Sequence, residues 1–170
     1  MPQNLTEERL TFHFNDLADV VKYDEWSYYR NQFQSPCDNK AIDFLLIEDR
    51  TLWLIEVKDY RGRTRTKPSD LADEVALKVR DTLAGIVAAS LRANDPVEQA
   101  FSRNALKQRT VRVALHLEQS PGTSKLYPQA VNPASLKMKL KQKARWLDPH
   151  PVIVSRSTLN RSIPWTVTSH

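Results

Sequence analysis

Ala41-Ile42-Asp43-Phe44-Leu45-Leu46-Ile47-Glu48-Asp49-Arg50-Thr51-Leu52-Trp53-Leu54-Ile55-Glu56-Val57-Lys58 is the stretch that decides how this chain folds. Two apolar runs, 41–47 and 51–57, flank a short charged joint, which predicts two strands closed into an antiparallel hairpin. With the turn centred on Asp49-Arg50, opposed residues carry numbers that sum to 99: Glu48 faces Thr51, Ile47 faces Leu52, and Asp43 faces Glu56. Asp-Arg is a poor two-residue turn, and a four-residue loop over 48–51 leaves the same register. Leu45, Ile47, Leu52 and Leu54 make one apolar face, and Ile42, Phe44, Leu46, Trp53, Ile55 and Val57 make the other. A hairpin greasy on both faces belongs in the middle of a sheet covered on both sides.

Working outward, Asn4 followed by Glu7 reads as a capping box, and Leu10, Phe14, Leu17 and Val21 recur at helical spacing, so a first helix is expected there. The aromatic run from Trp26 to Phe33 reads as a strand ended by Ser35-Pro36. Downstream, Leu71, Val75, Val79, Leu83, Ile86 and Val87 mark a long helix over about 70–93. Asp95-Pro96-Val97-Glu98 opens a second helix, with proline at its first position and Glu98 placed for a capping box. Residues 111–117 form a further strand, 119–131 a loop, and Asn132-Pro133 starts another helix. In 136–146 the lysine alternation also suits a strand, but Lys, Leu, Met, Gln and Ala are good helix formers and the Asn-Pro start decides for helix. Residues 151–155 are a fifth strand, and 160–170 an edge element or tail. The order of elements predicts an α/β fold with a mixed central sheet flanked by helices, as a single domain over 1–170.

The 170 residues include 25 Lys and Arg against 20 Asp and Glu, a net charge of +5 that leans towards polyanions. Three glycines exclude a collagen-like or linker-rich chain. The longest apolar run, 84–91, falls short of the roughly 18 residues a membrane span needs. One cysteine, Cys37, rules out an internal disulfide, and the first eight residues lack signal-peptide form; both suit the cytoplasm and no membrane. Two basic clusters lack acids: Arg61, Arg63, Arg65 and Lys67, then Lys137, Lys139, Lys141, Lys143 and Arg145. His13, His116, His150 and His170 show no ligand spacing.

Chemistry concentrates where the hairpin opens. Opposed residues on one face have Cβ atoms about 4.5–5.5 Å apart, and Lys58, two beyond Glu56, points the same way. Two carboxylates opposed in a buried sheet repel and are desolvated at a cost of several kcal/mol, which a divalent cation held by oxygen ligands removes. Ile42-Asp43, twelve residues, then Glu56-Val57-Lys58 resembles the PD-(D/E)XK nuclease superfamily, the restriction-endonuclease-like and Holliday-junction-resolvase-like proteins. The resemblance is specific over about 38–60. It implies an αβββαβ core, with Asp43 and Glu56 binding Mg²⁺ (Mn²⁺ as the alternative) and the Val57 carbonyl as a further ligand. Lys58 would orient the attacking water, making Asp43, Glu56 and Lys58 the catalytic set of a Mg-dependent phosphodiesterase that cuts DNA in repair, recombination or restriction. The first-helix acid that many members carry would be Glu8 or Asp16, with Glu7 and Asp19 as further candidates.

The sequence departs from the family pattern in having Ile42 for the proline and no Gln-x3-Tyr motif after Lys58. Lys78 or Arg80 stands in that region as a phosphate contact. Arg61, Arg63, Arg65 and Lys67 follow the site directly and are the expected nucleic-acid contacts, extended by residues 137–145. Tyr28, Tyr29 and Tyr60 are candidates for stacking on bases. No residue separates DNA from RNA, and specificity would come from substrate structure, a partner protein or a homodimer. Two rivals stand beside the nuclease: an inactive nuclease-fold subunit that binds DNA or serves assembly, and a plain structural hairpin in which Lys58 pairs with a carboxylate.

Overall fold

The computed structural model describes residues 3–62, 65–67, 69–122 and 129–169. The hairpin forms in the expected register: β4 (Phe44–Glu48) pairs with β5 (Thr51–Tyr60), Glu48 opposite Thr51 and Phe44 opposite Ile55. Asp49 and Arg50 both take positive φ at the turn (48° and 59°), as a tight two-residue connection requires.

The chain does not open with a helix. Residues 3–22 form three strands, β1 (Gln3–Glu7), β2 (Leu10–Phe14) and β3 (Asp19–Lys22). Leu10, Phe12 and Phe14 are buried and alternate with Thr11 and His13, while Leu17, which the helical reading placed inside, is 92% exposed. The period of two prevails because those three side chains fill one face of a strand. The aromatic run 26–33 is also reversed: Tyr23–Glu25 make a 3₁₀ turn, Tyr29–Phe33 a π-helical turn, and α1 covers Gln34–Cys37. These helical turns lie between β3 and β4, so the expected αβββαβ order is not the observed one.

The other helices fall where the capping residues put them. Asp70 accepts from Ala72 N at 2.8 Å to open α2 (Leu71–Arg92). Asp95 accepts from Val97 N at 2.7 Å to open α3 (Pro96–Ala105), and Asn132 from Ser135 N at 3.0 Å to open α4 (Pro133–Ala144). Among the described residues no helix is long and apolar enough to cross a membrane.

The fold is α/β. With β6 (Thr110–Gln119) and β7 (Val152–Val154), the main sheet runs β3-β4-β5-β6-β7, antiparallel up to β5 and parallel from β5 to β7. A second, antiparallel sheet runs β1-β2-β8, with β8 at Trp165–Ser169. One face of the main sheet packs Leu45, Leu54 and Leu115 against Val75, Val79 and Ile86 of α2 and Leu140 of α4. The other packs Phe44, Trp53, Ile55 and Val57 against Phe12, Phe14 and Trp165 of the small sheet. The hairpin is thus covered on both sides, which is why both its faces are apolar.

Candidate functional site: a buried carboxylate pair beside two lysines

Asp43 sits one residue ahead of the β4 ladder, on the helix side of the sheet. Its position is set from two directions. Thr82 Oγ1 on α2 accepts from Ile42 N at 3.1 Å, and Asp81 accepts from Lys40 N at 2.9 Å. The Asp43 carbonyl accepts from Tyr23 N at 3.0 Å, and its Oδ2 accepts from Val57 N at 2.6 Å. Continuing the register past Phe44–Ile55 brings Asp43 opposite Glu56.

Glu56 is 1% exposed and receives two ammonium groups on one oxygen: Lys58 Nζ at 2.5 Å and Lys78 Nζ at 2.6 Å. Lys58 also donates to the Val57 carbonyl at 3.0 Å. Glu56 Oε2 is buried and has no hydrogen-bond partner among the described residues. Burial, and then the neighbouring Glu56, push the Asp43 carboxyl up to about 8, against the opposing pull of Lys78 and Lys58. Lys58 is raised above the ordinary lysine value; burial opposes this, but Glu56 and Asp43 outweigh it. The raised Asp43 value favours its protonated form at neutral pH, beside a Glu56 that both lysines bond.

A cleft of about 320 Å³ opens beside Lys58, lined by Glu8, Tyr60, Arg65, Thr66, Lys67 and Glu74 among others. Of the candidate first-helix acids, Glu8 lines this cleft from the β1–β2 turn, where its φ is +52°. Glu7 pairs with Lys22 at 3.0 Å, Asp19 is hydrogen-bonded to Asn104, and Asp16 is not among the cleft residues.

The first basic cluster divides. Arg61 points to the other face of the sheet, where it clamps Asp59 at 2.7 Å together with Arg9 at 3.0 Å. Burial raises the Asp59 carboxyl, but these guanidinium contacts hold it far below the usual range. Arg65 lines the cleft and is held by Glu74 at 2.6 Å and Tyr60 Oη at 2.9 Å. Lys67, mostly exposed, lies 3.8 Å from Glu74. Arg63 lies outside the described residues.

Lys78 comes 20 residues after Lys58 in the sequence yet completes the site; its signal was only a cation on the apolar-striped helix following Lys58. Arg80 instead pairs with its neighbour Asp81. Tyr28 and Tyr29 are packed in the core and are not available for stacking on a base. A second buried polar group was not foreseen. His116 Nε2 lies 3.0 Å from Glu118 Oε1, which also accepts from Arg156 N at 2.6 Å. Burial lowers the His116 value, outweighing the pull of Glu118. Alternation along β6 places 116 and 118 on one face, and that was the available signal. No grouping of three or more His, Cys, Asp or Glu suited to a metal occurs among the described residues.

No family model matches the chain, and no solved structure matches it. It is similar to a cysteine–tRNA ligase of Neisseria meningitidis serogroup A, at 33% identity over 207 residues. The match takes in 97% of this chain and 30% of the ligase, so the chain spans about three-tenths of that relative's length.

This likeness corrects the reading of the hairpin motif. The expected membership of the PD-(D/E)XK nuclease superfamily is overturned by a match to a tRNA ligase. So are the metal-dependent DNA phosphodiesterase, its inactive nuclease-fold alternative, and the descriptors nuclease, endonuclease and hydrolase. The physical reason lies in the motif's low information content. Asp-x12-Glu-x-Lys arises wherever a buried antiparallel hairpin ends in opposed carboxylates that lysines neutralise, as Lys58 and Lys78 neutralise Glu56 here.

Proposed function

We propose that this chain is a tRNA-binding domain, residues 1–170 acting as one unit, from a protein related to cysteine–tRNA ligase. The observation that carries this reading is the 33% identity to such a ligase along 97% of the chain. The site chemistry supports it. Lys58, Arg65 and Lys67 line one cleft, and Lys78 shares Glu56 with Lys58, so phosphate oxygens of an RNA strand entering there would find charged donors.

Asp43, Glu56 and the Val57 carbonyl are suited to a Mg²⁺ or Mn²⁺ ion. The donor set is all oxygen, and Glu56 Oε2 is a buried acceptor without a partner. Such an ion would neutralise the carboxylate pair and present its own waters to a phosphate. Asp43 would release its proton on binding it, and the two lysines would turn from Glu56 towards the RNA backbone.

Fluorescence anisotropy with a cysteine-accepting tRNA, an unrelated tRNA and duplex DNA tests the reading. Expected is tRNA binding that weakens steeply with salt and loses affinity in Lys67→Gln and Lys78→Gln. No tRNA binding, or tighter binding of duplex DNA, overturns it.

A further inference from the structure

Helix α4 carries no acid from Pro133 to Leu147, and its two flanks differ. On the flank facing the start of α2, Lys139 pairs with Asp70 at 2.5 Å and Lys143 pairs with Asp73. On the opposite flank, Lys137, Lys141 and Arg145 stand four residues apart in one row, all exposed. Among the described residues none of the three has an ion-pair partner. At 1.5 Å of rise per residue, successive members of the row lie about 6 Å apart along the axis. Met138 beside the row is 66% exposed, and Trp146, which follows the helix and by helical spacing continues the line of Lys139 and Lys143, is 59% exposed. The other tryptophans, Trp26, Trp53 and Trp165, are buried. A solvated helix has no need of a large aromatic ring in water just past an end that carries five cations.

We infer that the exposed face of α4, from this row round to Trp146, is a second RNA-docking surface. Lys137, Lys141 and Arg145 take consecutive backbone phosphates, and Trp146 stacks on an unpaired base. The inference rests on the tRNA-binding reading and adds a surface remote in sequence from the Asp43–Lys58 site. Charge complementarity selects a polyanion. Stacking on an exposed indole selects one with bases, at ~1–3 kcal/mol per stacked base. A membrane surface does not fit, because an interfacial helix inserts its apolar face, and that face of α4, Leu136, Leu140 and Ala144, is buried in the core.

The test uses the whole chain, because Trp146 is the one well-exposed tryptophan among the described residues and so dominates quenching by acrylamide. Expected is that tRNA and oligo(U) shield it from acrylamide, an effect lost in Trp146→Phe. The triple variant Lys137→Gln, Lys141→Gln, Arg145→Gln should bind tRNA on the order of tenfold more weakly. Its plot of log affinity against log salt should flatten by about 2, given ~0.7 per phosphate contact on a single strand. The circular dichroism spectrum of the variant should match wild type, since all three side chains are exposed. If wild type binds tRNA but the triple variant binds equally well and Trp146 stays unshielded, this inference falls and the tRNA-binding reading stands. Shielding by poly-glutamate and not by RNA overturns it in favour of an acidic protein partner. If wild type binds no RNA, both readings fall together.

Discussion

Replacing Asp43 by Asn should stabilise the protein at pH 8 and leave it nearly unchanged at pH 4. In the fold the Asp43 carboxyl is pushed up to about 8, first by burial and then by Glu56, whereas in the unfolded chain it ionises near 3.8. Between those limits the folded state keeps a proton that the unfolded state has released, so stability falls as pH rises. The contribution is fully present below about pH 4 and is gone above about pH 8. At ~1.4 kcal/mol per decade it amounts to on the order of 5 kcal/mol over the interval. An amide cannot ionise, and it still offers an oxygen to Val57 N in place of Asp43 Oδ2, the 2.6 Å acceptor. Asp43→Asn should therefore exceed wild type by ~2–5 kcal/mol at pH 8 and match it within ~1 kcal/mol at pH 4. Urea unfolding followed by tryptophan fluorescence reads this directly. With a slope of ~1–3 kcal/mol/M, the pH 8 midpoint moves by about 1 M or more. Saturating Mg²⁺ should raise the wild-type midpoint at pH 8 more than at pH 5, and its removal by chelator should reverse the gain. Asp43→Asn should not respond to the metal. Equal effects of the substitution at pH 4 and pH 8 would refute the assignment of a buried, proton-retaining carboxyl.

Two further substitutions probe the supports of the site. A Cβ at Gly85 would meet Tyr23 Oη at 1.9 Å, and that hydroxyl is buried with no partner among the described residues. Gly85→Ala alone should cost ~2–4 kcal/mol, Tyr23→Phe should be neutral or stabilising, and the pair should be non-additive by more than ~1 kcal/mol; additivity in a thermal-melt cycle would refute the clash. Glu98 reaches from α3 to accept from Ser27 N at 2.7 Å and Tyr28 N at 3.0 Å. Glu98→Ala should cost ~2–4 kcal/mol and speed hydrogen exchange at those two amides, with Glu98→Gln intermediate. A loss below ~1 kcal/mol would show that water satisfies those amides.

The parts of the fold legible in the sequence were those where one local rule acted without competition. Asp70, Asp95 and Asn132 each cap a helix because their side chains bond backbone amides two or three residues on, a purely local act. The β4–β5 register followed from two apolar runs and one charged joint. Residues 4–21 offered two periods at once. Leu10-Phe14-Leu17-Val21 fits a helix and Leu10-Phe12-Phe14 a strand, and the choice was made by Trp165 and Phe44, far along the chain, which supply the other half of that core. Glu98 illustrates the same limit: its spacing from Asp95 suits a capping box, but its carboxylate is taken by Ser27 and Tyr28 of a distant turn. At the site, the opposition of Asp43 and Glu56 was legible. Lys78 was not separable from any other solvated lysine until α2 was laid over the sheet. What the cluster serves was the least legible, since the same four residues satisfy an ion-pair network, a cation site or a phosphate contact.

The small sheet has a mechanical consequence. β1 and β8 flank β2 on either side and run parallel to each other, with Gln3 level with Phe14 and Trp165, and Ser169 level with Leu10. Tension applied between Gln3 and Ser169 therefore pulls the two outer strands in opposite directions along their own axes. The hydrogen bonds to β2 lie perpendicular to that pull, so they are sheared together and do not open one at a time. Joined to a longer polypeptide at those two points, this sheet would act as a clamp, shielding the helices and the carboxylate pair behind it from strain transmitted along the chain.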